Sequence, residues 1–504
     1  MNLFKDLVTI KEEKTQGLVG LNDEFFSLYI NKLFNESNNN VLIVTSSLFE
    51  ANMLYTFLTS YTKEVLLFPM DDFLTTESIA VSPDLKITRL ETINELLNNT
   101  KKVVITHLNG YLRYLPTKEK YLDSIVKLKV GQEISRDELV RKLSSLGYEK
   151  ESIVTKTGEL GVRGFVIDVF PVQFEHPLRV EFFGDEIDSI RYFDEDTQKT
   201  INSTNECCIY PNTEFLIDEY FDTEKNNQKY LKELSNGNIN SLYDYMDDPI
   251  TIFKNYNQIK VAFINMLEQI TEYRSDRDKD FTDDYMYNLD DIKQDKVIYY
   301  NTIDNIIEGL DKKYVTDYTI KELDSFNENI EFINKYLSEN ISKGKTIIIA
   351  IKEFQIKSFI KYLNLPYLLT TPYNIVKNRI NIVNLELNKG FVFGDIVLLT
   401  ETELFNKKVN KAKYKTNFKY STKIRNINNL EIGDYVVHSL HGIGVYNGIK
   451  TLKQGEFLKD YIEILYQGKD KLYIPVEKIE LISKYTGKEG VAPKINKLGG
   501  IEWQ

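Results

Sequence analysis

"NVLIVTSSLFEANMLYTFLTSYTKEVLLFP", residues Asn40–Pro69, carries the reading of the fold class. A strand-length apolar run comes first, then a stretch with helical spacing ("LFEANMLYTFLTSY"), then a second short apolar run ("EVLLFP"). A helix between two such strands returns the chain so that the second lies parallel to the first. The pattern extends outward in both directions. Upstream, "EFFSLYINKLF" has helical spacing; downstream, "ITRLETINELLNN" reads as helix and "KKVVITHLNGYLRYLP" as a strand entering a helix. Alternation of this kind from Asn2 to about Pro116 predicts a parallel sheet with helices on its faces.

A chain of 504 residues is too long for one hydrophobic core, so three to five domains are expected. Residues 1–116 read as the first part of an α/β domain. Residues 117–212 change character: a helix, "DELVRKLSSLGYEK", is followed by the strands "GFVIDVFP", "LRVEFF" and "IDSIRYFD", a small inserted α+β domain. Residues 213–305 return to helix with short strands and complete the first domain. Residues 326–405 form a further small α/β unit around "KTIIIAI", "NIVNLEL" and "DIVLLTE", residues 406–427 a basic linker, and residues 428–504, rich in short strands and glycines, a small β-barrel. The fold class is multi-domain α/β and α+β with a C-terminal β-barrel.

Hydrophobic residues make up 42% and charged residues 27%, a globular balance, and no apolar run reaches the ~18 residues of a membrane span. The N-terminus lacks a signal-peptide pattern. Two adjacent cysteines, Cys207 and Cys208, cannot make a disulfide framework, which predicts a reducing, cytoplasmic setting. A net charge of −12 argues against a protein built to coat nucleic acid. The basic stretch Asn406–Arg425, with Tyr414, Phe418 and Tyr420, reads as a solvated tether or as a weak phosphate contact.

"GLVGLNDEFF", Gly17–Phe26, has the outline of a phosphate-binding loop without its chemistry. Such a loop needs Gly-Lys-Ser/Thr, whose lysine reaches the phosphates and whose hydroxyl holds magnesium. Here Gly20 is followed by Leu21, Asn22, Asp23 and Glu24. Two carboxylates suit a helix N-terminus but repel a triphosphate there. Gly17, Gly20, Asn22 and Asp23 therefore outline a degenerate nucleotide loop. Gly344-Lys345-Thr346 precedes a strand instead of following one and is a coincidental match. His438 and His441 sit in a glycine-rich strand context without cysteine or a carboxylate cluster, a poor metal pattern.

The hairpin "LRVEFFGDEID" is more informative. Alternation sends Leu178, Val180 and Phe182 to one face and Arg179, Glu181 and Phe183 to the other, with a tight Gly184-Asp185-Glu186 connection. A phenylalanine on the polar face beside an arginine is the composition of a protein-binding hot spot, or of a ring covered by a neighbouring element. Arg163, on the preceding strand segment, is a candidate to join them.

The segments Gly433–Lys453, Lys459–Tyr485 and "PKINKLGGIEW" (Pro493–Trp503) resemble the RNA-polymerase-interacting domain of bacterial transcription-repair coupling factors (Mfd), a barrel related to that of CarD-type regulators. "TGELGVRGFVIDVFP" and "LRVEFFGDEIDSIRYFD" resemble the module these factors share with the repair protein UvrB, and "LLFPMDDFL" and "VVITHLNGYLRYLP" fit the adjoining α/β domain. The resemblance implies a degenerate nucleotide loop and no DNA-clamping hairpin after "VLLFP". It also implies UvrA contacts at Arg163, Arg179 and Phe183, and contacts of Lys450, Thr451, Leu452 and Lys453 with the RNA polymerase β subunit. The family's ATP-driven DNA translocase follows the barrel, whereas this sequence ends at "KLGGIEWQ". The expectation is an N-terminal portion that is not itself an enzyme. ATP and magnesium would belong to the absent translocase, the UvrA-binding face would be uncovered, and the segment would be a monomer with no membrane partner and only weak DNA contact. The rival readings are a UvrB-like ATPase or helicase, which needs a phosphate-binding lysine near Gly20, and a CarD-like regulator, which leaves the N-terminal residues without a role.

Overall fold

The computed structural model describes residues 1–70, 83–98, 100–195, 197–217, 230–275, 285–302, 307, 309–407, 432–438, 442–454, 457–475 and 482–484. Within them the chain forms two compact units, the larger made of residues up to 417 apart from two short pieces. At the centre of the larger unit is a seven-stranded sheet with strand order 315–317, 15–19, 296–301, 250–254, 41–45, 103–107, 65–68. Every neighbouring pair in it is parallel. Alternation explains why its strands Val41–Thr45, Val65–Phe68 and Val103–His107 read as apolar runs. Leu42, Val44, Leu66, Phe68 and Val104 enter one buried cluster, whereas Val41, Ile43, Val65, Leu67, Val103 and Ile105 enter another. A sheet covered on both faces leaves no polar side to write into the pattern. Each fully buried Val, Leu or Ile there contributes roughly 1.5–3 kcal/mol of hydrophobic free energy.

Helices Asp23–Glu36 and Leu48–Leu58 begin at Asn22 and Ser47, whose side-chain oxygens accept from the backbone N–H of Phe25 and Glu50. The chain leaves this layer at Leu115–Pro116 and returns at Ile239–Asn240, and these two short strands pair antiparallel. Between them lies a six-stranded sheet ordered 200–204, 186–193, 178–183, 166–169, 159–163, 149–150, with a separate ribbon of 126–129 and 206–209. Its inward residues Leu160, Ile167, Val169, Leu178, Val180 and Ile190 share one core with Leu42 and Val104 of the parallel sheet. Glu214, itself buried, ties the region together by accepting from Arg89 Nε and Arg113 Nε, each at 2.6 Å.

A third sheet, ordered 367–370, 380–384, 346–351, 396–400, 391–393, is parallel except for Phe391–Phe393. Its Ile348, Val383, Leu398 and Phe391 pack into the core on the opposite face of the central sheet. The second unit, taken by itself, holds a five-stranded antiparallel sheet ordered 471–475, 457–465, 442–454, 435–438, 482–484. The barrel expected for this region is thus observed as a sheet whose outermost strands are not paired with each other among the described residues. Most of the basic linker and the segment Pro493–Trp503 lie outside the described residues. Among those described, no helix is long and apolar enough to cross a membrane.

Candidate protein-docking face

The inserted sheet places the residues of the hairpin as alternation requires. Leu178, Val180 and Phe182 are buried, Arg179 and Glu181 partly covered, and Phe183 is 83% exposed. Strand Leu178–Phe183 turns into Glu186–Phe193 through Gly184 and Asp185, and Gly184 takes φ +64, a conformation that favours glycine at the first loop position.

Asp168 organises the polar side of this face. It lies directly opposite Arg179 on one neighbouring strand and opposite Gly161 on the other. Residues opposite each other share a face, and so do residues two apart along a strand, so Arg163 arrives beside Asp168 past the side-chain-free Gly161. Arg179 donates to Asp168 from Nε at 2.7 Å and from Nη2 at 2.9 Å, and Arg163 donates from Nη2 at 2.5 Å. The carboxylate is fully buried, whereas the Arg179 side chain is 17% exposed and that of Arg163 48%. Arg179 also stacks over the Phe193 ring, 4.3 Å from guanidinium carbon to centroid, and donates to Gln198 Oε1 at 3.2 Å. The hydrogen bond to Asp168 raises its already high pKa, so it is charged at any working pH. Arg191 pairs with Glu181, which also accepts from Ser189 Oγ at 3.1 Å.

The three residues singled out by sequence therefore fall on one face, with different standing. Arg179 is largely committed to Asp168 and Phe193, Arg163 keeps half its surface free, and Phe183 projects into solvent. Sequence reasoning missed Asp168 and also Phe165. The latter, 66% exposed, occupies the two-residue turn Gly164–Phe165, and its carbonyl accepts from Phe182 N at 2.9 Å. That bond sets Phe165 beside the strand end that carries Phe183. The available signal was an aromatic in a turn position, where a packed ring is not needed.

The stretch expected to be a degenerate nucleotide loop takes a different form. Gly17 is not in a loop: it sits inside strand Thr15–Val19, paired on both sides, where a Cβ would lie 2.5 Å from Ile307 Cδ1. Its small size answers to packing. Gly20 does form the turn, at φ +71. Asn22 caps the helix and donates to the carbonyl of Gly390 at 3.3 Å. Asp23 meets Lys254 Nζ at 3.2 Å, and Lys254 also lies 3.6 Å from Glu50. Burial opposes ionisation of Glu50, but Lys254 and hydrogen bonds from Ser46 and Asn255 hold its carboxyl below the usual range. Glu24 turns inward, accepting from Tyr61 Oη and from the backbone N–H of Asn388 and Lys389, both at 2.9 Å. The segment Asn388–Gly390 thus binds the residues at the helix start.

In the second unit, strand Gly442–Gln454 pairs with Tyr435–His438 only through Val445, and with Phe457–Leu465 along its later part. Residues 449–454, which include Lys450, Thr451, Leu452 and Lys453, therefore have an open backbone edge among the described residues. Lys450 and Ile449 are exposed; the side chains of Thr451, Leu452 and Lys453 lie outside the described residues.

Residues 126–215 match the UvrB interaction domain family, and residues 430–486 match the CarD-like/TRCF RID domain family. Along 99% of its length the chain is 28% identical to the transcription-repair-coupling factor of Bacillus subtilis (strain 168), covering 48% of that protein. It is 27% identical to the transcription-repair-coupling factor of Staphylococcus aureus (strain USA300) along its full length, again covering 48%. The chain is a homologue of the transcription-repair coupling factors. It spans about half the length of the coupling factors it matches. The face built on Asp168 lies within the part that matches the UvrB interaction domain, and the open edge at 449–454 lies within the part that matches the RID domain.

Proposed function

We propose that this chain acts as an adaptor in transcription-coupled repair, with the face around Phe183 recruiting UvrA and the edge at Lys450–Lys453 holding the β subunit of RNA polymerase. The observation that carries the reading is the exposure of Phe183 beside arginines fixed by a buried carboxylate. An exposed aromatic ring at the end of a hairpin, on the same face as arginines held by a buried carboxylate, has the composition of a binding hot spot, and the arginines have little side-chain freedom left to lose on binding. The open backbone edge in the second unit supports the second contact, because a partner strand can add to it while a hydrophobic Leu452 supplies an anchor. Two interfaces joined by a basic linker allow each partner to engage independently. We read the region around Gly20 as having lost nucleotide chemistry, since Asn22, Asp23 and Glu24 are occupied by Gly390, Lys254, Tyr61 and the Asn388–Lys389 backbone.

The test is a calorimetric titration of the chain with UvrA beside a Phe183→Ala variant. Because this ring is almost wholly in solvent, its removal leaves the fold intact, and affinity is expected to fall about tenfold or more. Equal affinity of the two proteins, or no binding by the native chain, removes the UvrA assignment.

A further inference from the structure

Among the described residues, the third sheet ends in a strand whose outer edge has no further strand partner. That strand, Tyr367–Thr370, pairs among those residues on one side only, in parallel with Ile380–Asn384. Proteins usually blunt such an edge with charges, proline or a covering element. Here the strand itself is Tyr-Leu-Leu-Thr, and Tyr367, Leu368 and Leu369 are all exposed, Leu369 by 62%. Successive strand residues point to opposite faces, so apolar surface is open on both faces of the strand, most at Leu369 and less at Tyr367 (36%) and Leu368 (40%). A strand buried against this sheet's core reads differently, as in Ile347, Ile349 and Ile351.

Charge narrows the occupant. The stretch from Phe354 to Arg379 contains Lys357, Lys361, Lys377 and Arg379 and no acidic residue, in a chain whose net charge is −12. All four cations are exposed. Arg379 immediately precedes Ile380, the register partner of Tyr367, so it stands at the start of the edge strand. Two copies meeting edge to edge would bring these cations together, which disfavours self-pairing. Four cations within residues 357–379, beside an aliphatic edge strand, also make a poor nucleic-acid site, where base stacking and a longer basic track carry the affinity.

We propose that Tyr367–Thr370 is a docking edge that takes an extended peptide segment of another protein, one alternating apolar and acidic side chains, as an added strand. Main-chain hydrogen bonds would continue the sheet, apolar side chains of the peptide would cover Leu368 and Leu369, and its carboxylates would meet the cations at the strand ends. This is a partner surface separate from the Phe183 face and independent of the UvrA assignment.

The experiment uses the full chain and a fluorescein-labelled peptide of alternating valine and glutamate, read by anisotropy. Two controls accompany it: the same peptide N-methylated at alternate residues, and a thymidine oligonucleotide. Binding to the native chain is expected, with a loss of about tenfold or more on N-methylation and in a Leu368→Ser, Leu369→Ser variant, and retention in Leu369→Val. Lys361→Glu, Lys377→Glu is expected to weaken binding most at low salt. Both leucines are exposed, so the serine variant retains its fold, which circular dichroism verifies. Peptide binding that survives the serine substitutions overturns the proposal, as does no binding at peptide concentrations on the order of 1 mM. A preference for the oligonucleotide reassigns the edge to nucleic acid, and self-association abolished by the serine variant reassigns it to a second copy; either result overturns it too.

Discussion

Asp168 is the residue on which the polar half of the candidate docking face depends. Its carboxylate is buried and holds two guanidiniums, one mostly covered and one half in water. Removing one partner of a buried charge cluster costs more than the cluster contributes net, because the remaining charge is left without compensation. Arg179 would be that stranded charge, while Arg163 can regain water. Asp168→Asn is therefore expected to destabilise the chain by about 2–4 kcal/mol, whereas Phe183→Ala should stay within about 0.5 kcal/mol, both read by chemical denaturation. A loss no larger for Asp168→Asn than for Phe183→Ala would mean that the arginines are held by other contacts. The face was partly legible in the sequence. Period-two alternation is local, so it placed Arg179 and Phe183 together correctly. The role of Asp168 was not legible, since "VIDVF" shows only an acid between core residues. Its partners arrive from strands 5 and 11 residues away along the chain.

At the scale of elements, legibility followed the strength of the local pattern. The strands Val41–Thr45, Val65–Phe68 and Val103–His107 are apolar runs bounded by helices with clear spacing, and they appear in the sheet where those runs stand. The outermost strand of the same sheet, Val315–Asp317, is three residues long and half-exposed, so neither period nor composition marks it. Gly17 misled for a related reason: a glycine looks the same in sequence whether it serves a turn or gives way to a neighbouring side chain, here Ile307. The C-terminal strands were legible, while their pairing depended on register. The fact that Gly442–Gln454 outruns its neighbour beyond Val445 is a property of two strands, visible in neither alone. That open stretch grounds a prediction for the proposed polymerase contact. Leu452→Arg would put an unpaired charge into an apolar interface, and binding to the isolated β-subunit lobe of RNA polymerase is expected to drop at least tenfold, with the circular dichroism spectrum unchanged. Unaltered affinity would remove Leu452 from the contact.

Across the larger unit, the central and third sheets share one apolar core, and a buried carboxylate fastens one layer to the other. Glu24 stands in the first turn of helix Asp23–Glu36, and it accepts from Asn388 and Lys389, which belong to the third layer. Full burial pushes its carboxyl up to about 7, against the hydrogen bonds from Tyr61, Lys389 and Asn388 that favour the ionised form. A carboxyl whose folded pKa lies above its unfolded value binds protons more readily when folded. Its contribution is therefore most favourable below the unfolded value near 4.5 and is lost as pH rises to about 7, flattening above. The span corresponds to about 3 kcal/mol. Glutamine at this position can accept the two backbone N–H groups through its oxygen and donate to Tyr61 Oη through its nitrogen, without a charge to bury. The stability of Glu24→Gln minus that of the native chain should accordingly rise between pH 5 and pH 8 by up to about 3 kcal/mol. Subtracting the native curve cancels the opposite trend from carboxylates held low elsewhere, such as Glu214 and Glu386. Urea denaturation at a series of pH values reads the difference. A flat difference would show that Glu24 keeps one protonation state throughout, and the joint between the two layers would then be insensitive to pH.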